Sequence, residues 1–191
     1  MPYSREHKQQ SRARILQSAY RLFSTRGFDN VTVDAVMQDC SLTRGAFYGH
    51  FRSKSELYKE ALKFAALNSK LADRQPEGLS PREWLSQLLD GYLSIEHVAG
   101  DRPCPLAFLA TDIVSRNKET HETYAHVYSR MNQLILDYAG KHSGTNEQDI
   151  LSLTSMIIGA VAVSRTIEDK QLVQQILSSC RQQARVILGG I

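Results

Sequence analysis

The stretch "SLTRGAFYGHF", residues 41 to 51, places two donors, Thr43 and Arg44, ahead of Gly45, and then crowds Phe47, Tyr48, His50 and Phe51 together. This mixture suits a short helix with two unlike neighbours. Arg44 carries a planar fork of donors that can take O6 and N7 of a guanine together, and Gly45 leaves the backbone open to close approach. Tyr48, His50 and the following Lys54 supply hydroxyl, imidazole and ammonium donors, which suit phosphate oxygens that fix register without reading sequence. Ala46, Phe47 and Phe51 form the side expected to hold the helix from behind. Together they have the chemistry of a recognition helix, slim enough for a major groove and polar at its leading end.

Each of these residues has a plainer explanation when taken singly. Phe47 reads as core, His50 as a surface histidine and Lys54 as a solvated lysine beside a capping serine. Their joint spacing is what argues for a site. Charge agrees: residues 1 to 60 hold ten Lys and Arg against six Asp and Glu, and the rest holds thirteen against fourteen, so the net +3 comes from the front of the chain. That imbalance fits an N-terminal segment facing a polyanion. Arg5, Lys8, Arg12 and Arg14 are candidates for further backbone or minor-groove contacts.

The elements around the stretch read as helices. Ile15, Leu16, Ala19, Leu22 and Phe23 share one face of a first helix over roughly residues 8 to 26, which Gly27 stops. Thr32 is placed to cap a second helix through "VDAVMQDC", a tight turn follows at Cys40 to Leu42, and Thr43 is placed to cap the third. Ser53 and Glu56 form an S-x-x-E capping box that opens a long fourth helix. Two short helices joined by a tight turn and braced by two longer ones make a helix-turn-helix.

The run "ARILQSAYRLFSTRGFDNVTVDAVMQDCSLTRGAFYGHFRSKSELYKEAL" closely resembles the DNA-binding domain of the TetR/AcrR family of bacterial transcriptional regulators. The resemblance rests on "LFSTRGF", "TVDAVMQDCSLTRGAFYGHF" and "KSELYKEAL", and covers about a third of the chain. It implies that Thr43, Arg44, Gly45, Tyr48, His50 and Lys54 occupy DNA-contacting positions, with Tyr48 and His50 on phosphates. The family commonly has Ala-Gly in the turn where this chain has Cys40-Ser41; a serine held at positive φ costs on the order of 1 kcal/mol. Gly49 stands where a bulkier residue is frequent.

Beyond residue 68 the chain stays helical, giving an all-α reading: an N-terminal helix-turn-helix domain over 8–68 and a C-terminal effector-binding and dimerisation domain over 69–191. "ADRQPEGLS" reads as the link, and Ser80-Pro81-Arg82-Glu83 as a second capping box. The helix through "ILSLTSMIIGAVAVSR" is apolar nearly all round, with small residues in its second half, so it must be covered on more than one side, by its own core or by a second copy. Homodimerisation is the economical reading, with Ile157, Ala160, Val161, Ile176, Cys180 and Ala184 as interface candidates. A two-fold axis lets two recognition helices read a palindromic operator in double-stranded DNA. The resemblance implies the same interface, from the last two helices, and a small effector bound between helices of the second domain whose affinity is reciprocally coupled to that for DNA. Tyr92, Cys104, Phe108, Asp112, Tyr124 and Tyr128 are the candidates to line that pocket, or else ordinary core. Cys104, between Pro103 and Pro105, just after Arg102 and at the start of a helix, is expected to have a lowered thiol pKa and to react with electrophiles, unless it is an inert buried thiol.

Other classes fare poorly. There is no G-x-S-x-G, P-loop or H-E-x-x-H, and His121 and His126 are too far round a helix to share a site, so no enzyme, metal or cofactor is expected. Cys40, Cys104 and Cys180 are odd in number and widely spaced, which suggests neither disulfides nor zinc. No apolar run approaches a membrane span and no signal-peptide core follows the basic N-terminus, so no membrane partner and a cytoplasmic location are expected. The remaining alternative is a helical interaction module whose helix-turn-helix binds protein or non-specific DNA.

Overall fold

The computed structural model describes residues 5–100, 103–140 and 144–190. Among these residues the chain is helical throughout, with no strand. Helix α1 (Arg5–Arg26) begins three residues before the expected start, and α2 (Val33–Asp39), α3 (Arg44–Tyr48) and α4 (Lys54–Leu67) follow. Thr32 Oγ1 caps α2 by accepting from the Ala35 N–H at 3.0 Å, and Ser53 caps α4 through the Glu56 N–H at 3.1 Å. The second arm of that expected box lands one residue early, with Glu56 Oε2 accepting from the Arg52 N–H at 2.6 Å.

A helix as short as α3 cannot stand alone, because its nucleation is never recovered by propagation. Its stability comes from Phe47 and, just past its end, Phe51, both buried, each contributing on the order of 1.5–3 kcal/mol. They join Ile15, Leu16, Ala19, Leu22 and Phe23 of α1, Val36 and Met37 of α2, and Leu57, Tyr58 and Leu62 of α4 in one core. The turn into α3 holds Ser41 at φ 54°, the positive value anticipated there.

After a single 3₁₀ turn at residues 70–72, α5 (Pro81–Tyr92) opens with a complete capping box. The Glu83 N–H donates to Ser80 Oγ at 3.3 Å and the Ser80 N–H to Glu83 Oε2 at 2.8 Å. A short helix α6 (Ile95–Ala99) follows, and two short helices, α7 (Pro105–Phe108) and α8 (Ala110–Ile113), replace the single helix expected through "LAFLATDIVSR". Three long helices complete the chain: α9 (Lys118–Ala139), α10 (Glu147–Ser164) and α11 (Lys170–Ile187). They build a second core with α5, centred on Leu85, Leu89, Ile135, Leu153, Ile157, Val161 and Leu177.

The two cores meet through α7 and α8. Leu106, Leu109 and Ile113 belong to the first core and Ala107 to the second, so this short segment is packed into both. Among the described residues, no helix is long and apolar enough to cross a membrane.

Candidate nucleic-acid interface

Burial divides α3 as its sequence suggested. Phe47 is buried and Ala46 half-buried, while Thr43, Arg44, Gly45 and Tyr48 are exposed, with Tyr48 61% accessible. Thr43 occupies the N-cap position, but its hydroxyl makes no capping bond, which leaves it available to an outside acceptor. Outside the adjoining helix backbone, a Cβ built on Gly45 would find Thr43 Oγ1 nearest, at 4.0 Å, so the backbone here is open to whatever approaches α3. Arg44 Nη1 donates to Asp34 Oδ2 of α2 at 2.9 Å, and its other neighbour is the Tyr48 hydroxyl.

His50 lies at the edge of this surface, half-buried, with Nδ1 enclosed and unpaired. Burial lowers its pKa, and the positive charges of Lys8 and Arg12 lower it further, so the imidazole is neutral at pH 7 in the DNA-free chain. A phosphate can then meet it only as a neutral donor, or by supplying the charge that holds a second proton.

Lys54 is a correction to the expected phosphate set. Its ammonium donates to the carbonyls of Phe28 and Val31, each at 2.9 Å, and lies 4.1 Å from the centroid of the Phe28 ring. Two of its three protons therefore fasten the start of α4 to the α1–α2 loop. Two of the basic residues of α1 are also engaged internally. Arg12 pairs with Glu60 at 2.7 Å and covers the Phe51 ring, and Arg14 donates to the Cys40 carbonyl at 2.6 Å.

The six residues expected to line an effector pocket fall into separate sets of contacts. Tyr92 and Cys104 are neighbours, and Tyr124 is close enough for its electrostatics to reach both; the Tyr124 hydroxyl donates to the Leu106 carbonyl at 2.7 Å. Phe108 faces the Arg165 guanidinium, 4.7 Å from its ring centroid. Tyr128 instead bonds to Thr154 Oγ1 at 2.9 Å and Ser155 Oγ at 3.2 Å on α10. Asp112 points the other way, into the helix-turn-helix, because that is where unsatisfied donors await a carboxylate. It accepts the Tyr58 hydroxyl at 2.6 Å and the Phe28 N–H at 3.2 Å, and pairs with Arg116 at 3.4 Å. Arg116 reaches on to Asp29 at 2.7 Å and covers the Phe28 ring. Helical period marks Tyr58 only as part of the apolar face of α4, and no sequence pattern singled out Arg116 or Asp29; an i,i+4 Asp112–Arg116 pair was the available signal.

Cys104 does not have the lowered pKa expected of it. The thiol is enclosed, and burial pushes its pKa up against weaker opposing hydrogen bonds from Tyr92 and the start of α7. The low-dielectric surroundings outweigh a helix of four residues, whose dipole is small. Arg102, the expected cation beside it, lies outside the described residues.

The interface candidates are also corrected. Ile157, Ala160, Val161 and Ala184 are buried in the chain's own second core, and only Ile176 and Cys180 remain partly accessible. The sequence marked α10 as apolar all round but could not say which side its own core takes. The accessible stripe carries Leu151, Ser155, Gly159, Ala162 and Val163, and α11 adds Leu172 and Val186.

The architecture is a helix-turn-helix with a solvent-facing third helix, set on a helical body that reaches its core through α7 and α8. Residues 15–61 match the family described as "Bacterial regulatory proteins, tetR family". The chain is 25% identical over 129 residues to the uncharacterized HTH-type transcriptional regulator YerO of Bacillus subtilis, a match covering 65% of this chain but 44% of YerO. It is 26% identical to the HTH-type transcriptional regulator UidR of Escherichia coli K12, over 96% of this chain and 93% of UidR. A solved TetR/AcrR family member superposes with a TM-score of 0.77 at 19% identity, covering 94% of this chain and 99% of the other, and so shares the fold. Residues 15–61 thus match the tetR family, and the chain as a whole shares the fold of a solved TetR/AcrR regulator.

Proposed function

We propose that the chain is a dimeric repressor that binds a palindromic operator in double-stranded DNA and is released by a small, largely apolar effector. In this reading, residues 8–68 bind DNA, residues 69–191 bind effector and partner, and the protein works in the cytoplasm without catalysis. The observation that carries it is the two-sided build of α3: Phe47 buried in the core, with Thr43, Arg44, Gly45 and Tyr48 exposed around an open backbone. Thr43 and Arg44 read bases, and Tyr48 and His50 hold phosphates.

The Asp112–Tyr58–Phe28 contacts support coupling, since a ligand that shifts α7 and α8 must act on α1 and α4 through them. A ligand preferring the DNA-incompetent arrangement then weakens DNA binding by the same factor as DNA weakens ligand binding. Non-covalent binding beside Tyr92 and Phe108 fits the enclosed, protonated Cys104 better than attack by a standing thiolate.

Footprinting on the DNA upstream of its own gene, at several salt concentrations, tests the reading. A protected palindrome that persists as salt is raised supports it. Uniform, steeply salt-sensitive coverage would reject it in favour of non-specific binding.

A further inference from the structure

Asp34 is an acid on a face meant for a polyanion. It is the second residue of α2, its side chain is 58% exposed, and its partner in the DNA-free chain is Arg44, itself 63% exposed. The neighbouring acids Asp39 and Glu60 are neutralised within the domain by Arg21 and Arg12. Asp34 differs from them because its counter-ion is the base-reading candidate. An ion pair this exposed contributes little to folding, since water screens it and two side chains must be held in place. Its consequence must therefore appear where water is displaced, at the DNA surface.

The geometry is specific. Asp34 Oδ2 meets Nη1 alone, at 2.9 Å, and the Tyr48 hydroxyl is the other neighbour of the guanidinium. A guanidinium has five N–H donors in a rigid fork, so one bond to Asp34 fixes the fork's direction and leaves an edge for the paired acceptors of a guanine. Off the correct base, the natural alternative for Arg44 is a phosphate. Reaching for one leaves the Asp34 carboxylate unpaired against the DNA backbone, a like-charge contact that weakens binding.

We propose that Asp34 is a specificity-determining, positioning residue: it aims Arg44 at a guanine and penalises complexes in which Arg44 turns to the phosphate backbone. This rests on Arg44 reading a base. Asp34 thus lowers non-specific affinity and raises discrimination at one base pair per half-site.

The test uses the full chain and the duplex it enriches from a randomised pool, with a shuffled duplex of the same composition as the non-specific probe. Arg44→Ala first identifies the G·C pair whose replacement no longer matters. Wild type should discriminate against that replacement by about tenfold or more. Asp34→Asn should bind the shuffled duplex several-fold more tightly, while discrimination at that one pair falls to within about threefold and other positions keep theirs. Asp34→Glu should restore part of it. A merely structural Asp34 would instead weaken all duplexes alike. Retained discrimination in Asp34→Asn, with Arg44→Ala having lost it, overturns the inference alone. If Arg44→Ala loses discrimination nowhere, Arg44 does not read a base, and that reading and the inference fall together.

Discussion

Asp112 Oδ2 accepts the Tyr58 hydroxyl at 2.6 Å, joining α8 to the first half of α4 across 54 residues of sequence. The same carboxylate holds the Phe28 N–H at 3.2 Å, next to Gly27, whose φ of +74° turns the chain out of α1. A Cβ on Gly27 would lie 3.3 Å from Asp112 Oδ1, so the turn and the carboxylate are fitted to each other. Burial first, and then the bond to Asp112, push the Tyr58 pKa up, which keeps the phenol a donor at any working pH.

Tyr58→Phe removes that donor and keeps the ring, which packs edge-on to Phe23 and Phe28. The expected cost is about 1–3 kcal/mol, because a buried carboxylate oxygen loses its bond while Arg116 and Phe28 still serve the other. For a chain of this size that is a fall in Tm of roughly 2–10 °C. Thermal denaturation measures it. The variant should also bind operator with a weakened effector response, and an unchanged response would show that coupling runs elsewhere.

Arg44→Ala and His50→Ala should fail differently. Losing the Arg44 fork should relax preference at one base pair by about 1–3 kcal/mol of discrimination, whereas losing His50 should weaken binding to every sequence alike. Binding to a panel of single-substitution duplexes separates the two patterns. The same uniform loss in both would refute the division of α3 into base reader and phosphate clamp.

Acid should destabilise the chain through two histidines. Burial lowers the pKa of His50 and of His97, whose Nε2 is enclosed without a partner, below the ordinary 6.5. With a lowered folded-state pKa the unfolded chain takes up more protons in acid, so this stability is complete above about 6.5 and is lost as pH falls through it. Urea denaturation at pH 7.5, 6.5 and 5.5 should show the decline, and His97→Gln should flatten it. DNA acts on His50 with the opposite sign: a phosphate favours the cation, so binding takes up a proton and tightens from pH 8 to pH 6. His50→Gln should remove that tightening, and a pH-independent affinity in the wild type would show that the imidazole stays neutral in the complex.

The turn before α3 is strained, and relief should be measurable. Ser41 sits at φ 54°, where a side chain costs on the order of 1 kcal/mol and glycine nothing comparable. Ser41→Gly should raise stability by about 0.5–1 kcal/mol, the entropy of the freer unfolded chain taking back part of the gain. The urea midpoint should move up with an unchanged slope; a lower midpoint would show that the Ser41 side chain is needed where it stands.

The helix-turn-helix was legible because its signals are local. Thr32, Ser53 and the Ser80–Glu83 box each answer to neighbours within four residues, so capping chemistry locates them, and the pattern of apolar and polar residues along α3 marks Phe47 as its inward side. Asp112, Lys54 and Cys104 were misplaced because their partners are distant in sequence. Nothing near Asp112 announces Tyr58 or Phe28, the carbonyls that hold Lys54 belong to a loop 23 and 26 residues earlier, and the enclosure of Cys104 is set by Tyr92 of α5. Periodicity likewise fails on α10, since a helix apolar all round has no preferred face until its own core has chosen one.

That choice leaves a specific prediction for the dimer. The accessible stripe of α10 runs through Leu151, Ser155, Gly159 and Val163, with Leu151 and Val163 47% and 50% exposed, and Leu172 and Val186 continue the apolar surface on α11. A Cβ on Gly159 would meet nothing within 4 Å, so within one chain the glycine has no packing reason to be there. A helix interior with glycine gives up roughly 1 kcal/mol relative to alanine, which a closely packed second copy would offset. Gly159→Glu should therefore leave the monomer folded, with helix content and Tm near those of the parent at low concentration, while an acidic side chain buried against its own symmetry mate opposes association. Sedimentation equilibrium should show the wild type as a dimer and the variant as a monomer, and affinity for a two-half-site operator should fall far more than affinity for a single half-site. A Gly159→Glu chain that still sediments as a dimer would place the two-fold axis elsewhere.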